Sequence, residues 1–136
     1  MTAPPFWLSH HASAEFNRTY AWGRFRVCAR CLGTYPMLLM LFFAQFLARA
    51  PLRWRWDDVW AIGLFLPALL DWVWGRFHPQ QGSNLWRTAT GVLLGAALAR
   101  SIYVHVQTPW PSMLLAQMGL GVLGVTVALR ARSLGE

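Results

Sequence analysis

The chain contains two cysteines, Cys28 and Cys31, separated only by Ala29 and Arg30. A Cys-x-x-Cys pair can place two thiolates on one metal ion or close into a disulfide. His10 and His11 lie upstream, across a 16-residue spacer from Cys28. Two cysteines and two histidines meet the ligand count of a tetrahedral zinc site. Cys28, Cys31, His10 and His11 are therefore the candidate metal ligands, and Zn2+ the candidate cofactor. Adjacent histidines point differently, so one can coordinate while the other donates a hydrogen bond. Thiol redox chemistry stays open as an alternative, as do two small buried cysteines beside two surface histidines. The pair is not followed by histidine, so c-type haem attachment is not indicated.

Asp71 and Arg87 are the second pair able to do chemistry. Asp71 is a lone charge inside an apolar run, and an ionisable residue there is a functional hypothesis by default. Arg87 follows a short polar loop, at what would be similar depth on an adjacent antiparallel helix. An Asp71–Arg87 ion pair is expected, since pairing lowers the cost of both charges. Either it pins two helices together, or Asp71 serves as a base while Arg87 holds an anionic group.

The elements that must position these residues are membrane helices. Hydrophobic residues make up 56% of the 136-residue chain and charged residues 12%, about half the charge of a typical soluble domain. Nine tryptophans cluster near the ends of apolar runs, as in an aromatic interfacial belt. The net charge is +7 and all 12 basic residues are arginine. They punctuate apolar segments and form no single basic face, so the expected partner is the lipid bilayer and not nucleic acid.

Residues 1–31 read as a polar arm, with a short extended or hairpin segment in its alternating stretch around Tyr20–Val27. Four apolar segments follow, at about 32–48, 59–75, 85–106 and 112–129, each near the ~20 residues that cross the hydrocarbon core. Ser83 or Asn84 would cap the third, and Pro111 suits the first turn of the fourth. The expected fold is all-α, a four-helix transmembrane bundle forming one integral membrane domain over residues 1–136. Gly91 and Gly95, and the glycines of the fourth segment, allow close helix contact, read as packing within the bundle.

The N-terminus lacks the charged and apolar regions of a signal peptide, so internal helices are expected to drive insertion. Four crossings put both termini on one side with eight arginines, against four on the other. The positive-inside rule then places both termini in the cytoplasm. On that face His10, His11, Cys28, Cys31, Asp71, His78, Asn84 and Arg87 converge toward one polar pocket. Arg100 and His105 fall at the opposite end, where snorkelling or interfacial roles are expected.

Three blocks carry a resemblance: Cys28-Ala-Arg-Cys31-Leu-Gly33-Thr-Tyr35, Pro67-Ala-Leu-Leu-Asp71, and Ser83-Asn84-Leu-Trp-Arg87-Thr-Ala-Thr90-Gly91. They resemble the bacterial and archaeal membrane proteins called domain of unknown function 2085. Many members have a Cys-His pair upstream of the Cys-Ala-Arg-Cys block. Here His10-His11 stands there, which would replace a thiolate by an imidazole. Trp72 follows Asp71 where the resemblance suggests a small residue. It implies the same pocket and brings no established activity.

The reading is thus a small bacterial inner-membrane protein with a metal-binding Cys/His site at one face. A membrane enzyme, a thiol redox protein and an accessory subunit of a larger complex are the alternatives. Partners beyond lipid would be another membrane protein or further copies of the chain.

Overall fold

Without water to satisfy backbone N–H and C=O groups, an apolar run of membrane length is stable only as a helix or in a closed barrel. The four runs form helices. A computed structural model describes residues 17–23 and 25–134. Its elements are β1 (Thr19–Trp22), β2 (Phe25–Cys28), α1 (Ala29–Leu47), α2 (Asp57–Phe77), α3 (Asn84–Gln107) and α4 (Ser112–Ser133). All four helices are long and apolar enough to span a membrane.

The alternating stretch does form a hairpin. β1 and β2 pair antiparallel, with Thr19 opposite Cys28 and Trp22 opposite Phe25. The helix then starts at once: Cys28 caps α1 with extended backbone, and Ala29 is already helical. Arg30 and Cys31 therefore stand in the first turn of α1, beyond the arm to which their polarity assigned them. α4 runs on to Ser133 and carries Arg130 and Arg132 in its last turn, where cations complement the exposed carbonyls of a helix end. Ser83 caps α3 by accepting from the Trp86 N–H at 3.2 Å.

α3 is the hub. It carries most of the buried positions, including Thr90, Gly91, Gly95, Ala97, Ala99, Ser101 and Tyr103. α1 lies parallel to α3 along a seam of Gly33, Gly91 and Gly95. A Cβ on Gly91 would strike the Arg30 carbonyl, one on Gly95 the Thr34 carbonyl, and one on Gly33 the Thr88 carbonyl. The Gly91/Gly95 pair thus packs inside the bundle. α4 runs parallel to α2: Gln117 Nε2 donates to Ala61 O at 3.1 Å, and Gly124 sits against Leu69.

The outward faces are apolar, with Leu39, Met40, Phe43, Leu70, Val122 and Leu123 all more than half exposed. A surface that apolar suits lipid. Exposed tryptophans ring both ends, with Trp22, Trp74 and Trp86 at the hairpin end and Trp54, Trp56 and Trp110 at the other, a pattern of interfacial anchors.

Candidate functional site

The hairpin, the start of α1, the end of α2 and the start of α3 meet at one end of the bundle. Side-chain bonds to backbone tie them together. Asn84 Nδ2 donates to Thr19 O at 3.2 Å. Thr88 Oγ1 donates to Ala29 O at 2.9 Å. Arg18 Nη2 donates to Gly75 O at 2.7 Å. The hairpin is thereby held over the helix ends like a roof.

Beneath it lies a cavity of about 120 Å³. Among the described residues, Arg18, Arg30 and Arg87 bring positive groups to it, Asp71 a carboxylate, and Cys28 and Cys31 a pair of thiols. Trp72 and Gly75 complete the wall. The Arg76 guanidinium lies over the Trp72 ring, 5.8 Å from its centroid. Trp72 thus fills the place where a small residue was expected.

The carboxylate partner differs from the expected one. Asp71 pairs with Arg30, whereas Arg87 Nη2 donates to Gln81 O at 2.7 Å and Arg87 Nη1 to Asn84 Oδ1 at 3.4 Å. Asp71 and Arg87 do stand on one cavity, as their similar depth implies. What redirects Arg87 is the loop before α3. Gly82, at φ +93°, turns the chain back so that the Gln81 carbonyl meets the guanidinium; a Cβ at Gly82 would come within 3.3 Å of Arg87 Nη2. That leaves Asp71 to Arg30, which the glycine seam brings inward on α1.

Arg87 is only 6% exposed, and both its hydrogen-bond acceptors are uncharged. The buried Nε of Arg30 finds no acceptor among the described residues. Among the described residues, Arg18, Arg30 and Arg87 share the cavity with one carboxylate, and the Arg87 guanidinium meets no charged acceptor.

No disulfide joins Cys28 and Cys31, and both thiols line the cavity. His10 and His11 lie outside the described residues. Among the described residues, no group of three His, Cys, Asp or Glu side chains is placed to hold a metal ion. Asn84 belongs to the site as the link between Arg87 and the hairpin. His78 stands aside, stacked on Trp74 with centroids 4.2 Å apart.

The opposite end holds a second ion pair, with a different character. Arg100 Nε donates to Asp57 Oδ1 at 2.8 Å and Nη2 to Asp57 Oδ2 at 2.6 Å. Arg100 also donates to Gln45 Oε1 at 3.2 Å and Pro51 O at 2.7 Å. Tyr103 donates to Ala50 O at 2.8 Å. Arg100 therefore does not snorkel; it staples the α1–α2 loop to α3. Its donors are taken up by protein acceptors, with one carboxylate for one guanidinium. His105 keeps an interfacial place, its Nδ1 accepting from the Trp110 N–H at 3.0 Å.

Arg18 and Arg30 were counted in the sequence only as topology charges. A signal for Arg30 was present, since it sits between the two cysteines, at the mouth of an apolar run. Arg18 gave none, because its reach to Gly75 depends on the hairpin.

A bundle of four membrane-length helices, with a polar cavity roofed by a hairpin at one end, defines a class of small multi-pass membrane protein. The model of the family described as "Predicted membrane protein (DUF2085)" matches residues 12–101, and the chain belongs to that family. No curated protein and no solved structure matches the chain.

Proposed function

We propose that this membrane protein binds an anionic ligand in the cavity beneath the hairpin. The observation that carries the reading is Arg87: it is 6% exposed on a cavity it shares with Arg18 and Arg30, and its acceptors, Gln81 O and Asn84 Oδ1, carry no charge. An unneutralised charge held out of water is costly, by several kcal/mol per ion. A bound anion would offset that cost. Arginine is also the side chain best suited to hold a carboxylate or phosphate by paired hydrogen bonds. The stapled Arg100–Asp57 pair at the other end shows what a saturated structural pair looks like in this fold. The test is thermal unfolding of the purified protein in neutral detergent, with phosphate, sulfate, carboxylates and anionic lipids. Stabilisation that Arg87→Gln removes is the expected result. No stabilisation by any anion, soluble or lipid, overturns the reading.

A second reading is favoured by the place of both thiols on one cavity wall. Cys28 and Cys31 would give a Zn2+ ion two of its ligands, with at least one of His10 and His11 as a further ligand. The surrounding guanidiniums weigh against a cation unless both thiols ionise. Metal analysis of purified protein decides it. Less than about a tenth of an equivalent, unchanged by Cys28→Ser, would sink this reading, since a structural site holds its ion tightly.

The orientation that belongs with both readings is a bacterial inner-membrane one with the termini, and hence the cavity, at the cytoplasmic face. The arginine asymmetry supports it. Reporter fusions at the C-terminus test it, and an externally active fusion reverses it.

A further inference from the structure

The cavity does not end at Asp71. A second hollow of about 270 Å³ shares Asp71, Gly75 and Arg87 with it and continues between α2 and α3. Its walls change character: Pro67, Leu70, Trp74 and Trp86 line it. Leu70, Trp74 and Trp86 are 65%, 58% and 58% exposed, on the bundle's outward surface. A compartment rich in guanidinium groups thus opens sideways, past Arg87, into an apolar crevice that faces lipid.

A free anion would need only the first compartment. An amphiphile with a charged head and a hydrocarbon tail would use both. We infer that the ligand is a membrane lipid with a terminal phosphate, its phosphate among Arg18, Arg30 and Arg87 and its chain leaving between α2 and α3 along Leu70 and Trp86. The inference rests on the anion reading and narrows it.

Three features favour this chemistry. A phosphate monoester carries one to two negative charges, which would compensate the buried Arg87 guanidinium, whose acceptors are uncharged. Its oxygens can accept several N–H bonds at once, including one from the buried Arg30 Nε. Basic pockets between membrane helices are a recurrent way of holding anionic headgroups. The tryptophans at the crevice mouth lie at headgroup level, where the ester region of a lipid would pass them.

The test compares phosphatidic acid with inorganic phosphate as ligands of the full chain in neutral detergent, read by thermal stabilisation and tryptophan fluorescence. The lipid is expected to bind at least about tenfold more tightly than inorganic phosphate, because only it fills the crevice. Leu70→Trp should weaken the lipid about tenfold and leave inorganic phosphate unaffected, by filling apolar space alone. Leu70 faces outward, so this variant is expected to fold even where Arg87→Gln does not. Equal binding of both probes, untouched by Leu70→Trp, overturns the lipid and leaves a free-anion site. Binding of neither probe overturns the lipid inference, and the anion reading falls with it if sulfate and carboxylates also fail.

Discussion

The guanidinium of Arg30, in the first turn of α1, forms an ion pair with the carboxylate of Asp71, six residues before the end of α2. The two side chains are 22% and 9% exposed, so each charge depends on the other. Removing one partner of such a pair leaves an uncompensated charge. Arg30→Gln and Asp71→Asn are each expected to lower stability by about 3 kcal/mol. The double variant Arg30→Met/Asp71→Leu should lose less than either single change, because it leaves no orphan charge. Thermal unfolding in detergent measures all three, and strictly additive losses would refute the coupling.

How much of this could be read from the sequence depends on whether a feature is local. Helix positions follow from apolar length, which needs no partner. The depth of Asp71 and Arg87 followed from counting residues to a shared loop. Their partners did not, because Gly82 and the Gln81 carbonyl set the direction of Arg87, and loop conformation is not written in periodicity. Arg100 looked like a snorkelling residue for the same reason: its acceptors at Pro51 and Asp57 exist only once the α1–α2 loop folds back. The charge count that suggested topology also concealed Arg18 and Arg30 as site residues.

The glycine seam gives a second prediction. Gly91→Ala and Gly95→Ala place a methyl group against the backbone of α1, so the helices must separate. Each is expected to cost about 1–3 kcal/mol. Gly63→Ala and Gly119→Ala meet nothing within 4 Å and should instead stabilise by up to about 1 kcal/mol through helix propensity. Melting temperatures of the four variants provide the check. A similar loss for all four would show that spacing between α1 and α3 is not what glycine serves here.

Arg100 separates stability from binding. Arg100→Gln breaks the staple to Asp57 and should lower stability by about 1.5–3 kcal/mol, the range for hydrogen bonds to a charged group. It should leave anion-dependent stabilisation intact, because Arg100 stands at the far end of the bundle. Titration of the variant with the same anions as the wild type checks this, and a lost response would mean that the two ends are coupled.

The two thiols should differ in reactivity. Cys28 is 5% exposed, whereas Cys31 is partly open on the cavity wall. Maleimide is expected to label Cys31 at least about tenfold faster than Cys28, since access governs thiol chemistry as much as ionisation does. A saturating anion should slow the labelling of Cys31, because it would occupy the same cavity. Equal rates in Cys28→Ser and Cys31→Ser would contradict the roofed geometry.

The seam of Gly33, Gly91 and Gly95 has a consequence for sequence drift. Where main chain rests on main chain, the gap between helices is not negotiated by side-chain volume. One wall of the cavity, carrying Arg30 and Cys31, is thereby fixed against another, carrying Arg87, by contacts that only substitution of those glycines can alter. Leucine, valine and phenylalanine can exchange freely along the outer surface, following the lipid of each host membrane, while the spacing of the arginines stays the same.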